Sequence, residues 1–276
     1  MASIIKIFKI LILFFFAFNT ANIFSLEKEI RICSDDNDDQ PFLIANQENP
    51  TGILIDIINQ AFIFSKELQI YSFKIQPMPW NRCLDMVKKG QVDAVLNISY
   101  NSEREQYIQF PDDSGEMEKQ PCGSKFKFYC GGYLVITLKS FKPQYSGKVT
   151  ELPYPVRIAR GYSINTELET VLKENLEIGK SDSVNIKKML RDKSGSVIAY
   201  TSYADKFYYV KFEDNIDLLK LIKVHKKSYT KKSYYIGFSK NSILDQKIRK
   251  SIWKNLQIVN ENKKILNSIF KKYTNL

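Results

Sequence analysis

Residues 79–111 read PWNRCLDMVKKGQVDAVLNISYNSEREQYIQFP, and this stretch decides how the chain is organised. Cys83, Leu84 and Val87 recur at helical spacing and Gly90 stops the pattern, so WNRCLDMVKKG predicts a helix. VDAVLNI follows as a nearly continuous apolar run, the mark of a strand covered on both faces of a parallel sheet. Past it the chain turns polar around Arg104. A helix feeding a doubly covered strand is the return half of a β-α-β unit, and the residue just past the strand's end is placed to bind something.

Working outward, the same alternation continues. EIRICS (29–34) predicts a strand, and DDNDDQPF after it a loop. TGILIDIINQAFIFSKEL predicts a helix starting after Gly52, and IYSFKIQPMP a second strand ended by prolines. Downstream, GYLVITL (132–138) is a strand that follows a cysteine-bounded loop. VRIARGYS is a strand running into a glycine turn, NTELETVLKENL and VNIKKMLRDK are helices, and SVIAYTS is a buried strand. YADKFYYVKF predicts a helix and SYYIGFSKN a strand. Two amphipathic helices end the chain, with Ile248, Ile252, Leu256 and then Ile265, Ile269 as their buried stripes.

Two α/β blocks, with a C-terminal segment that returns to the first, make a two-lobed α/β protein with a cleft between the lobes. The expected boundaries are 26–131 with 230–276 for the first lobe and 132–229 for the second. Ligands of open parallel sheets sit beyond the carboxyl ends of the strands. The loop after EIRICS, the residues after VDAVLNI, the turn after VRIA and the residues after SVIAY are therefore expected to face one cleft.

The first 25 residues differ from the rest. Lys6 and Lys9 precede an apolar run from Ile10 to Phe18, and small residues follow, the layout of a cleaved secretory signal. The run is far shorter than the roughly 20 residues that span a bilayer. Cleavage after Ser25, with Ala21 as the alternative, leaves 251 residues with a formal charge of +9, expected to be exported and soluble. The excess lysines, such as Lys88, Lys89, Lys187, Lys188, Lys271 and Lys272, are scattered over solvated helix faces, which argues against nucleic acid as a partner. Four cysteines in an exported chain suggest two disulfides. Three pairings exist, with four free thiols as the alternative. Cys122 and Cys130 lie in one short loop and can close locally, which leaves Cys33 with Cys83. No CxxC is present and the single His225 sits in a basic stretch that reads as exposed, so neither a metal nor a cofactor is expected.

The order and spacing of QPF, TGILIDII, the 79–111 stretch, YPVRIARGYS, YYIGFSKN and a helical end reaching KKY resemble the periplasmic solute-binding proteins of the polar amino-acid uptake type, solute-binding family 3. The resemblance implies the two-lobed periplasmic-binding-protein fold (type II), a periplasmic location and a monomer. It also implies a small-molecule ligand, an amino acid or small organic acid, handed to a membrane ABC permease. Carried over by position, Arg104 grips a ligand carboxylate, a role suited to a planar guanidinium. Trp80 forms an aromatic wall, Phe42 stands near the first strand's loop, and Ser99 and Tyr100 offer hydroxyl or backbone groups. Gly161, Tyr162 and Ser163 form a turn whose N–H groups can hold an anion. The resemblance also carries departures. The aspartate that holds the α-ammonium in the family's amino-acid binders is Thr201 here, and Asp39 replaces an aromatic residue. Asp36 falls where binders of basic amino acids place a carboxylate. Two other readings share the fold: a sensor feeding a receptor, and an enzyme that dehydrates small acids. A binding protein without chemistry is the expectation, and Arg104→Ala is expected to leave the melting of the unliganded protein almost unchanged.

Overall fold

The computed structural model describes residues 28–37, 39–201 and 220–273. β1 (Lys28–Asp35) lies between two parallel neighbours, β2 (Tyr71–Met78) and β3 (Ala94–Ser99). The crossovers are α1 (Ile53–Ile63) and α2 (Trp80–Lys88). α2 buries Cys83 and Val87 and stops where Gly90 takes a left-handed φ of 70°, as the sequence predicts. A single turn, α3 (Ser102–Glu105), and the short β4 (Ile108–Gln109) follow β3.

β5 (Tyr129–Leu138) and β10 (Thr230–Ser239) join the two halves. Thr230–Tyr234 run antiparallel to Tyr133–Tyr129, and the remainder of β10 pairs with β3 and β4. From Gly132 onward β5 also pairs with β8 (Ser196–Thr201), and Ile136–Leu138 pair with β9 (Ile222–Val224). β6 (Val156–Ala159) and β7 (Leu176–Gly179) extend that side in parallel. The strand path β2-β1-β3-β10-β5-β8-β6-β7 thus passes from one lobe to the other through a single antiparallel pair. A crossing confined to these two strands is where a hinge between the lobes can form.

Each lobe buries its own core. In the first, Ile30, Ile32, Leu54 and Ile58 pack with Ile252, Trp253 and Leu256. The last three belong to α6 (Gln246–Glu261), which with α7 (Lys263–Tyr273) returns from the chain's end. In the second, Tyr133, Val135 and Ile158 pack with Leu168 of α4 (Asn165–Leu172), and Ile186 and Met189 of α5 (Asp182–Asp192) cover the opposite face. β4, β7 and β9 are two to four residues long and the sequence pattern does not announce them. The helix expected over YADKFYYVKF and the signal segment 1–25 lie outside the described residues, as does Asp38. Among the described residues no helix is long and apolar enough to cross a membrane.

The cysteines pair as the loop lengths suggest. Cys33–Cys83 ties β1 to α2, and Cys122–Cys130 closes the loop before β5. His225 corrects the sequence reading. It is 2% exposed, because residues 141–145 fold over β9. Its Nδ1 accepts the Tyr145 N–H at 3.0 Å, which leaves Nε2–H to donate to Thr137 Oγ1 at 3.0 Å. Burial pushes its pKa down, so it is a neutral structural histidine.

One buried carboxylate gives the fold an acid sensitivity. Asp93 is 6% exposed and accepts hydrogen bonds from the Arg31 N–H, from Arg31 Nε and from Ser242 Oγ, at 3.0, 3.1 and 2.7 Å. Burial alone raises its pKa, and these bonds outweigh burial and hold it below the ordinary value. A carboxyl with a depressed folded-state pKa contributes stability above its unfolded pKa of about 3.9, and that contribution fades as pH falls through the folded value. Because Arg31 is 42% exposed, Asp93→Ala is expected to cost about 2 kcal/mol at pH 7, below the range for fully buried pairs. Denaturant melts at pH 7 and pH 2.5 check this: the difference between variant and wild type should shrink at the lower pH.

Candidate functional site

The polar turn after β3 is built by Asn101. Its Oδ1 accepts the Arg104 N–H at 2.7 Å, which caps α3 and swings the Arg104 side chain back over the end of the strand. There the guanidinium is 4% exposed. NH1 donates to the Ser99 carbonyl at 2.7 Å, and NH2 crosses to the other lobe and donates to the Gly161 carbonyl at 2.7 Å. Trp80, the first residue of α2, donates its Nε1–H to the same carbonyl at 3.0 Å, and its ring lies 5.6 Å from the guanidinium. Gly161 is a glycine for two reasons. Its φ is +81°, and a Cβ there would stand 2.6 Å from Asn81 Oδ1 and 2.8 Å from Trp80 Cδ1.

A second set of bonds crosses the cleft beside the first. Ser99 Oγ bonds Ser163 Oγ at 2.8 Å, and Asn101 Nδ2 reaches the Ser163 carbonyl at 3.5 Å. Asn97, held at φ 64° within β3, donates from Nδ2 to the Tyr200 hydroxyl at 3.4 Å and accepts the Tyr129 hydroxyl. The aromatic rings of Tyr129, Tyr133, Tyr162, Tyr200 and Tyr234 pack on one another here, with Tyr129 stacked on Tyr234 at 5.5 Å. Burial is the first cause that raises the pKa of Tyr162 and Tyr234, so both stay neutral, and Tyr162 donates to Asp182.

Lys232, on β10, lines the cavity beside Tyr100 and Glu118, and its ammonium is pushed down to about 8 by burial and then by the Arg104 charge, with Glu167 and Glu118 acting against them. Asp35, at the end of β1, and Asp182, at the start of α5, act on one another as like charges. Asp182 Oδ2 accepts the Tyr162 O–H at 2.7 Å and the Tyr200 N–H at 2.9 Å. Burial raises the Asp182 carboxyl to about 7, the two hydrogen bonds pull it down, and the charge of Asp35 pushes it up again. Asp35, anchored by Asn37, is likewise raised, first by burial.

The structure brings Trp80, Ser99, Arg104, Gly161 and Ser163 into one cross-lobe cluster, with the Tyr162 ring on Tyr133 beside it. The turn at Gly161 meets Arg104 through its carbonyl. Tyr100 points elsewhere. Its hydroxyl donates to Glu105 at 2.7 Å, and it lines a cavity of about 400 Å³ with Glu118 and Lys232. Phe42 is 2% exposed in the first lobe's core, its ring 4.8 Å from Tyr129. Asp39 closes a turn with Leu43, and Asp36 hangs from Met78 by its N–H. Thr201 ends β8 opposite Gly132. Asn97, Tyr129, Tyr133, Tyr200, Asp182 and Lys232 were not picked from the sequence. Only Asn97, a polar residue inside an apolar strand, carried a local sign. Among the described residues no group of three or more His, Cys, Asp or Glu could hold a metal ion.

Residues 30–122 match the family model of bacterial extracellular solute-binding proteins, family 3, which bears out the resemblance read from the sequence. No curated protein sequence matches the chain. Among solved structures, a histidine kinase sensor domain with similarity to periplasmic binding proteins superposes with a TM-score of 0.66 at 14% identity, covering 90% of this chain and 96% of that one. The arginine-, lysine-, histidine-binding protein ArtJ from Geobacillus stearothermophilus gives 0.63 at 14% identity, with 90% and 96% covered. An ancestral amino acid-binding protein, a precursor of cyclohexadienyl dehydratase, gives 0.62 at 15%, with 89% and 94% covered. The fold is therefore the two-lobed one of periplasmic binding proteins.

Proposed function

We propose that this chain is an exported binding protein for a small carboxylate-bearing solute, an amino acid or a close relative, and that it hands this solute to an ABC permease. The observation that carries the reading is Arg104: a guanidinium almost sealed from water, at the point where both lobes meet, with no carboxylate bonded to it among the described residues. Buried cations are ordinarily paired, and a ligand carboxylate supplies a partner with matching bidentate geometry. The hydroxyls of Ser99 and Ser163 and the aromatic face of Trp80 complete a site for a small polar guest. Closure over such a guest stabilises the joined lobes and presents one outline to a partner. The likeness to a kinase sensor domain supports a second reading, in which the same closure reports to a receptor.

A thermal-shift panel of the standard amino acids and small organic acids tests the proposal. A ligand at about 100 times its dissociation constant adds roughly 2.7 kcal/mol of stability, a shift of several degrees. A shift from at least one carboxylate compound is the expected result. A panel in which none of these carboxylate compounds shifts the melt refutes the carboxylate reading.

A further inference from the structure

We propose that Asp182, faced by Asp35 from the other lobe, is the carboxylate that receives a ligand's ammonium group, so that the cleft selects zwitterions. The proposal rests on the reading of the cleft as a solute site and adds the second half of the ligand.

Four observations carry it. Asp182 Oδ1 is sealed from solvent and has no hydrogen-bond partner among the described residues, while Oδ2 is fully used by Tyr162 and Tyr200. A buried carboxylate oxygen without a donor is costly, and native proteins seldom keep one without a use. Asp35 lies close enough to oppose ionisation of Asp182, and among the described residues neither carboxylate is ion-paired with a lysine or arginine. Two carboxylates facing one another across a hinged cleft, each lacking a cation, are completed by one that enters with the guest. Asp182 also stands where the charge is needed. Its Oδ2 is bonded to the amide of Tyr200, the residue before Thr201, so the carboxylate reaches the end of β8 from α5. Thr201 itself carries no charge, and β8 therefore needs none of its own. Finally, Arg104 supplies a buried cation where the lobes meet, bonded to Ser99 of one and Gly161 of the other. A cleft that offers both a cation and carboxylates favours a guest that carries both charges.

Isothermal titration with the standard L-amino acids, each paired with its desamino acid, tests this on the full chain. Wild type is expected to bind its best amino acid about a hundredfold more tightly than the desamino counterpart, which lacks only the ammonium group. Asp182→Asn keeps a hydrogen-bonding group for Tyr162 and the Tyr200 amide, and it should shrink that preference to within about threefold by weakening the amino acid alone. Asp35→Asn stands outside the Asp182 hydrogen bonds and serves if the first variant does not fold. It should lose about tenfold of the same preference. A preference that survives in the Asp182 variant, or in Asp35→Asn where that must serve, overturns the ammonium assignment and leaves the carboxylate reading standing. Equal binding of amino and desamino acids by wild type does the same. Wild type that takes neither kind of acid overturns both.

Discussion

Arg104→Ala is expected to abolish ligand-induced stabilisation. The guanidinium is buried between the lobes, and truncating one partner of a desolvated, hydrogen-bonded charge pair costs about 2–5 kcal/mol, roughly a thirtyfold to several-thousandfold loss of affinity. A thermal shift of several degrees in wild type should vanish in the variant at the same ligand concentration. Arg104→Lys should fall between, because an ammonium keeps the charge and loses the planar fork. The structure revises the companion expectation that the unliganded protein would not notice. Arg104 donates to the carbonyls of Ser99 and Gly161, one in each lobe, so alanine takes one donor from each and leaves Gly161 with Trp80. The unliganded variant should lose about 1–2 kcal/mol. Normal ligand binding by Arg104→Ala rules out the carboxylate grip, and a stability loss without a binding loss reduces Arg104 to a strut.

Removing the Cys33–Cys83 bridge is expected to give the largest loss of stability. The bridge spans 50 residues of sequence and encloses α1, β2 and the start of α2. The chain-entropy argument assigns a closed loop of that length about 4 kcal/mol. For a chain of this size that is a fall of roughly 10 °C in melting temperature. Cys33→Ala with Cys83→Ala, melted under non-reducing conditions, measures it. The Cys122–Cys130 bridge spans eight residues, and the same argument assigns its loss about 2.5 kcal/mol. A double alanine variant that melts within two degrees of wild type contradicts the argument for the longer loop.

How much of this was legible in the sequence divides along the range of the interactions. Periodicity is local, so α1, α2, β1 and β3 could be read directly, as could the break between α6 and α7. Arg104 was legible because it follows a recognisable strand at fixed spacing. β7 and β9 were not, since three or four residues carry no period to read. His225 misled because its sequence neighbours are lysines, while its burial comes from residues 141–145, some 80 positions earlier. Asp182 was invisible for the same reason. An acid in the first turn of a helix ordinarily reads as favourable to the helix dipole and solvated. Its setting is made by Tyr162, Tyr200 and Asp35, which lie 18 to 147 positions away and converge only when the lobes meet.

The bonds from Trp80 and Arg104 to one carbonyl, and from Ser99 to Ser163, fasten the two halves with groups of the chain itself. The shut form therefore draws part of its stability from the protein and part from whatever it encloses. Weakening that clasp lowers the share of molecules ready to hold a guest, and the apparent affinity falls in proportion.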